Sequence, residues 1–511
     1  MNTINYIKEG VAIRISDIVL KAKQFFYLIA AITTFNTTAQ QIDFEEVQNP
    51  LDGVKEGSIA FADVDNDGDL DVLITGDSGP TPSSDKIAKL YTNDGSGNFI
   101  EVNGTPFEGV KNSSIAFADI EGDGDQDVLI TGDDNSGISF ITKLYTNDGS
   151  GNFTEVTGTP FDVAWHSSIA FADVDSDGDQ DVLITGLKGP LGPSNIISKL
   201  YTNDGSGNFT EVSNTPFEEV WFGSIAFADV DGDNDQDVLI TGIAGTNPFE
   251  NKVSKLYTND GSGNFTEIST PFDGVSQSSV AFADVDGDGD QDVLITGRNN
   301  SNNEISKLYI NDGSGNFTEV SGTPFDGVSN GSIAFADVDI DGDPDLLITG
   351  LINAGGPEIS NLYTNDGNGD YTLENGTPFN EVYDSSIAFA DVDGDGDQDV
   401  LITGFSIQGT ISKIYRNLFN TLGVANVING KYTKMTIFPN PTSGKANIQM
   451  GDIQSEKLEI KLSNISGQVI FRETRNYATH FSIDINGSAG IYFLEIITDN
   501  DKKFVRRIIK K

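Results

Sequence analysis

The sequence predicts an all-β fold: a seven-bladed β-propeller with N/C-terminal strand closure, followed by a small C-terminal β-sandwich. Three observations predict it. The phrase S-[IV]-A-F-A-D recurs seven times, at Ser58, Ser114, Ser168, Ser224, Ser279, Ser332 and Ser386, with spacings of 56, 54, 56, 55, 53 and 54 residues. Such self-similarity marks a repeat architecture. Every full repeat holds four strand-like pieces, and the chain ahead of the first repeat carries the one piece that the last repeat lacks.

In the first unit the pieces are SIAFADV (58–64), DVLITG (71–76), KLYTN (89–93) and FIEV (99–102). Large Ile59 and Phe61 alternate with small Ala60 and Ala62, the period of two expected of a strand. Val72-Leu73-Ile74 is a continuous apolar run, which suits a strand covered on both faces. Asp94-Gly95-Ser96-Gly97 joins the last two pieces as a hairpin, its glycines supplying positive φ. Four antiparallel strands with two apolar faces suit a propeller blade; a solenoid is the competing architecture. The chain ends separate the two. IDFEEV (42–47) matches the fourth piece, whereas KIYRN (413–417) is a third piece with no fourth after it. A ring uses the N-terminal fragment to complete its last blade, and an open stack has no use for it.

Composition narrows the function. The chain has 511 residues, no cysteine, two histidines and a formal net charge of −48. Such acidity excludes nucleic acid and anionic membranes as partners, since both need a basic face. Without cysteine there are no disulfides, thiol nucleophiles or thiolate metal sites. At the N-terminus, residues 21–41 (KAKQFFYLIAAITTFNTTAQQ) have a basic start, a short apolar stretch and a small-residue end. The apolar stretch is too short to span a bilayer, so residues 1–39 read as a signal peptide region, with cleavage after Ala39. Residues 40–417 form the propeller, 418–434 a linker and 435–511 a separate module.

Between the first and second strands of each unit lies an acidic loop. In the fifth, Asp284, Asp286 and Asp288 stand at positions 1, 3 and 5, Gly289 at 6, Asp290 at 7 and Asp292 at 9. Alternate carboxylates in a tight turn converge on one point; the glycine permits the bend, and position 7 can offer its backbone carbonyl. A crowded all-oxygen shell suits Ca2+, whereas Mg2+ takes fewer carboxylates and Zn2+ prefers nitrogen or sulfur. The loop is no EF-hand, because position 12 is Ile295 and strands flank it. A merely solvated acidic surface would not restore one spacing seven times.

The motif D-x-D-x-D-G-x-x-D between two strands, followed by LYTNDGSGNFTEV, resembles the FG-GAP/VCBS repeat of integrin α-subunit propellers and many secreted bacterial proteins. The resemblance covers roughly residues 42–417. It implies one Ca2+ per loop, up to seven in all, bound through positions 1, 3, 5, 7 and 9. In the first loop these are Asp63, Asp65, Asp67, Asp69 and Asp71, and in the second Asp119, Glu121, Asp123, Asp125 and Asp127. The third supplies Asp173, Asp175, Asp177, Asp179 and Asp181, and the fourth Asp229, Asp231, Asp233, Asp235 and Asp237. The fifth loop is the one numbered above. The sixth has Asp337, Asp339, Asp341, Asp343 and Asp345, and the seventh Asp391, Asp393, Asp395, Asp397 and Asp399. Two loops depart from the pattern: Glu121 replaces an aspartate at position 3, and Asn234 replaces the glycine at position 6, where asparagine tolerates the left-handed conformation. The loops hold 35 of the 78 acidic residues, and seven Ca2+ would bring the net charge from −48 to −34.

Chain direction sorts the connections onto two faces. The acidic loops and the NDGSGNF hairpins share one side, with nearly constant lengths. The second-to-third and blade-to-blade connections share the other, and there length and composition vary. A constant scaffold with diverse loops on one side is arranged for binding. Trp165, Trp221 and Tyr383 occupy equivalent places three residues before the Ser of their units, on that varied side. They are candidate ligand residues for a sugar ring or a protein anchor, with packing between blades as the alternative. An enzyme is the rival class: His166, the one histidine among the repeats, sits beside Trp165 where a polysaccharide-lyase base would work. No partner residues accompany it, and the repeats leave no room for a separate catalytic domain.

The last module opens with FPNPTSG (438–444) and continues in short strands to a basic end: Lys502, Lys503, Arg506, Arg507, Lys510 and Lys511. It resembles the type A C-terminal sorting domain of the Bacteroidota type IX secretion system in PNPTSG, S-G-Q-V, G-I-Y-x-L-E-I and the terminal K-F-V-R-R-I-I-K-K. That implies the secretion machinery as partner and delivery to the outer-membrane surface or the medium. The expectation is therefore an exported monomeric calcium-binding module, not an enzyme, for an extracellular glycan or protein ligand, and not for nucleic acid.

Overall fold

The computed structural model describes residues 42–79, 85–134, 139–190, 192, 194–247, 251–353 and 355–419, together with 436–438 and most of 442–511. The expected signal peptide and most of the expected linker lie outside the described residues. The chain divides into two compact units, 1–419 and 420–511.

All regular structure among the described residues is β-strand. The larger unit lays down antiparallel strands in groups of four. The first group is Ile59–Ala62, Asp71–Asp77, Lys86–Asn93 and Phe99–Glu101, each paired with the next. The last group has only Tyr383–Ala390, Asp399–Ser406 and Gly409–Asn417 from its own segment. Its fourth strand is Phe44–Val47 from the other end of the chain, in the register Phe44↔Asn417 to Val47↔Ile414. The third strand of the first group begins at Lys86, three residues earlier than its sequence motif. Lys86, Ile87 and Ala88, paired with Asp77, Gly76 and Thr75, extend the ladder into what reads as loop, because pairing and not hydropathy decides where a strand ends.

The double apolar faces have the expected consequence. Val72, Leu73 and Ile74 are fully buried. Leu73 packs with Val128 and Ile130 of the second group, whereas Val72 and Ile74 pack with Leu401 and Ile414 of the last. The first group is thus covered on one side by the second and on the other by the seventh. Each fully buried side chain of this kind is worth about 1.5–3 kcal/mol relative to exposure. The tyrosine of every third strand (Tyr91, Tyr145, Tyr201, Tyr257, Tyr309, Tyr363 and Tyr415) is buried completely.

The smaller unit has two antiparallel sheets, one of three strands (Thr436–Phe438, Lys445–Gln449, His480–Asp484) and one of four (Lys457–Asn464, Val469–Asn476, Gly490–Thr498, Lys503–Lys510). Ile448, Phe481 and Ile483 of the first sheet share one core with Leu458, Ile460, Leu462, Leu494 and Ile508 of the second.

Candidate metal centres

The acidic loops are built alike. The carboxylate at position 1 accepts the N–H of position 6 in every unit, from Gly68→Asp63 to Gly396→Asp391, at 2.9–3.1 Å. Position 6 needs positive φ for this, and Asn234 supplies it at 70° where the other loops use glycine. Position 4 is also left-handed throughout, a requirement the motif did not disclose. Asn66, Ser176 and four glycines meet it readily, but β-branched Ile340 is held at φ 59°, a strained conformation.

Position 9 is the anchor. Asp71 accepts the N–H of Val64 at 3.0 Å on one oxygen and that of Asn93 at 2.8 Å on the other. The same pair of bonds recurs at Asp127, Asp181, Asp237, Asp292, Asp345 and Asp399. Burial, opposed by these donors and reinforced by neighbouring carboxylates, pushes Asp71, Asp181, Asp237 and Asp292 up to about 6 and Asp345 and Asp399 up to about 7.

Positions 1, 3 and 9 converge. One carboxylate oxygen from each lies within 4.8 Å of the others in the sets Asp63/Asp65/Asp71, Asp173/Asp175/Asp181, Asp229/Asp231/Asp237, Asp284/Asp286/Asp292 and Asp337/Asp339/Asp345. At position 3, one oxygen each of Asp65, Glu121, Asp175, Asp231, Asp286 and Asp393 is buried with no hydrogen-bond partner. A buried orphan acceptor is costly and rare, and six at one repeated position ask for a cation. The donor set is all oxygen, so the residues fit Ca2+ better than a metal that prefers nitrogen or sulfur. Glu121 and Asp127 touch, and burial together with that contact raises Glu121.

Position 7 behaves differently. Its side chain turns to the hairpin of its own unit: a Cβ on Gly95, Gly149, Gly205, Gly261, Gly313 or Gly367 would stand 2.3–2.5 Å from the carboxylate of Asp69, Asp125, Asp179, Asp235, Asp290 or Asp343. Position 7 is thereby left with its backbone carbonyl to offer. Position 5 receives the N–H of position 7, as in Asp69→Asp67 at 3.0 Å. Among the described residues the seventh loop has no hairpin of its own unit for position 7 to turn to; the hairpin of the first unit lies against it instead, at Val392 and Asp393. There Asp397 is buried, and Arg416 stands where the other third strands have Thr92, Thr146, Thr202, Thr258, Ile310 and Thr364. Its guanidinium lies 2.7 Å from Asp393 at position 3.

Each loop is also tied to the next unit. The asparagine ending each third strand donates its side-chain amide to the carbonyl of position 2 in the preceding loop: Asn147→Val64, Asn203→Ile120, Asn259→Val174, Asn311→Val230, Asn365→Val285 and Asn417→Val338, at 2.7–2.8 Å. The seventh such bond, Asn93→Val392 at 2.8 Å, runs from the first unit back to the last. The sequence shows this asparagine in every copy, and that recurrence was the available signal.

On the varied side, Trp221 is buried against Leu187, Ile196 and Ile243, and Trp165 stacks on Phe140 with ring centroids 4.9 Å apart. The indole N–H groups of Trp165 and Trp221 donate to Gly189 O and Gly245 O at 3.1 and 3.0 Å. Tyr383 is half-buried, edge-on to Phe405. Burial and Lys111 hold the His166 imidazole far below its ordinary value, at about 3.

Fold and loops together define an all-β repeat protein whose repeated element is an acidic turn between paired strands. The chain belongs to the FG-GAP-like repeat family, whose sequence profile matches residues 63–130, 119–184, 192–240, 243–295 and 284–348. Residues 436–511 match the secretion system C-terminal sorting domain, which marks the chain for type IX secretion to the cell surface or the extracellular space and for contact with that machinery. No curated protein matches the chain. Among solved structures, a variant of NanB sialidase from Streptococcus pneumoniae is similar at 12% identity and a TM-score of 0.36, covering 76% of this chain and 72% of that one. A variant of Aleuria aurantia lectin in complex with alpha-methyl-L-fucoside is similar at 10% identity and a TM-score of 0.36, covering 64% and 97%. AofleA from Arthrobotrys oligospora is similar at 10% identity and a TM-score of 0.34, covering 88% and 94%. Likeness at this distance carries no argument about ligand or activity.

Proposed function

We propose that the chain is an exported, calcium-stabilised, seven-bladed β-propeller that acts as a binding or adhesion module and is delivered by a C-terminal β-sandwich. Ring closure is supported by the pairing of Phe44–Val47 with Gly409–Asn417, by the shared core of first and seventh groups, and by the bond from Asn93 to Val392. The sandwich is supported by the single core between the two small sheets. Calcium is supported by the orphan oxygens at position 3.

The observation that carries the binding role is the unequal distribution of diversity. Acidic loops and hairpins repeat almost residue for residue, whereas the connections on the other side differ in length and composition. A polysaccharide-degrading activity is the second reading. A general base works best with a pKa near the operating pH, and His166 at about 3 is a poor one. The test is an array of glycans and matrix proteins probed with and without calcium, beside a depolymerase assay on acidic polysaccharides. Retention of at least one ligand in calcium with no depolymerisation is the expected result. Depolymerisation abolished by His166→Ala would select the enzyme.

A further inference from the structure

We infer that the collar formed by Glu56, Asn112, His166, Phe222, Gln277, Asn330 and Asp384 is the binding site, and that it takes the pyranose ring of a neutral glycan. The inference rests on the propeller reading above and names the site and ligand class within it. These residues stand two positions before the Ser of each repeat. All seven have positive φ, between 44° and 55°, although none is glycine. In units two, three, five and seven they coincide with a break in strand register, the signature of a β-bulge, which re-aims side chains.

Backbone bonds hold the collar together and run from unit to unit. Asn112 N–H donates to Glu56 O, Phe222 to His166, Gln277 to Phe222, Asn330 to Gln277, Asp384 to Asn330 and Glu56 to Asp384, at 2.6–3.2 Å. The last of these returns from the first unit to the seventh. The scaffold therefore forces one strained backbone conformation at seven equivalent points, and strain of this kind gathers at ligand clamps. Two residues further on the chain writes nearly one phrase every time; here it writes six different residue types in seven copies. Packing does not dictate these side chains.

Their chemistry is divided. On one arc the imidazole of His166 lies 3.7 Å from the Phe222 ring and 4.2 Å from Trp165, centroid to centroid. Around the rest are the amides of Asn112, Gln277 and Asn330 and the carboxylates of Asp384 and Glu56. Only Glu56 has an ion-pair partner, Lys111 at 2.7 Å. Among the described residues the Asn112, Gln277 and Asn330 amides, the His166 nitrogens and the Asp384 carboxylate make no hydrogen bond, yet all are half-buried. A ring face beside free amides and a free carboxylate matches a sugar, whose C–H face stacks on an aromatic plane while its hydroxyls both donate and accept. A cationic ligand would need acceptors alone and would leave three amide donors unused. Polyanions are disfavoured by the chain's charge of −48.

The experiment uses the full secreted chain in millimolar calcium on immobilised neutral, sialylated and sulfated oligosaccharides, followed by calorimetry with the best free oligosaccharide. The substitutions are Phe222→Ala, Gln277→Ala and Asp384→Asn, each with its melting temperature as folding control. Retention of a neutral glycan is expected, weakened about ten-fold or more by each substitution while the melting temperature stays close to the parent's. Neutral-glycan binding untouched by all three substitutions overturns the collar. So does selective retention of a sialylated, sulfated or protein ligand, which leaves the binding-module reading standing. Retention of nothing on glycan and matrix-protein arrays overturns both.

Discussion

The two faces of the repeat unit obey different rules. On the acidic-loop side the same residues meet the same partners seven times: position 6 bonds position 1, position 9 takes two backbone donors, and an asparagine amide crosses to the next unit. On the opposite side the backbone repeats, as the positive φ of the collar shows, but the side chains do not. Uniformity marks where the fold is held, and the proposed binding role rests on the diversity over a constant backbone.

Removing calcium breaks the comparison most severely, because it acts on one face and is felt by all units. Sites of roughly 10⁻⁴ M affinity at millimolar calcium contribute on the order of 1.4 kcal/mol each. Several such sites in a unit of this size correspond to a fall of about 10 °C in melting temperature, and excess EDTA in a thermal melt measures it. A smaller fall of a degree or two would show that hydrogen bonds alone order the loops.

Acidity sharpens the same contrast by a reversal of sign. In EDTA the position-9 carboxylates Asp71, Asp181, Asp237, Asp292, Asp345 and Asp399 have folded pKa values of about 6 to 7, above the ordinary 3.8, and Asp127 is raised as well. The folded state then binds more protons than the unfolded one between roughly pH 4 and 7, and stability falls as pH rises through that window. Calcium requires ionised carboxylates, so with saturating calcium stability rises with pH over the same window. Melting temperatures at pH 4.5 and 7, with and without calcium, should show opposite slopes; parallel slopes would contradict the placement of the ion.

Single substitutions divide the faces further. Asn203→Ala leaves the buried Ile120 carbonyl without its donor, a loss of about 1–3 kcal/mol, visible in urea unfolding. Asp231→Ala removes one bound ion and less stability. Arg416→Thr has the smallest effect: it frees Asp393 and adds one calcium per chain by metal analysis. An unchanged count would mean that the guanidinium does not compete with a cation there.

Much of the fold was legible because the repeat supplies its own alignment. Ile59 and Phe61 gave strand period, and the fragment at 42–47 matched the missing strand at Phe44–Val47. Within the site, spacing predicted that positions 1, 3 and 5 meet with position 9 closing the shell; the structure groups 1, 3 and 9, and the turning of position 7 toward the hairpin glycine depends on a segment some twenty residues away. The collar was not legible. Its positive φ goes with hydrogen bonds between units, so Glu56, Phe222 and Gln277 adopt it without any local preference, and only Asn112, His166, Asn330 and Asp384 belong to residue types enriched there. Trp165 and Trp221 occupy the equivalent places that made them candidates, yet their N–H groups are already bonded to Gly189 and Gly245; the rings next to them, His166 and Phe222, belong to the collar.

The central claim is that divalent cations fill the convergent carboxylates. The most direct test is the number of calcium ions bound per chain at equilibrium in millimolar calcium. At least five are expected, one for each loop in which positions 1, 3 and 9 converge; a count of one or none would contradict the account.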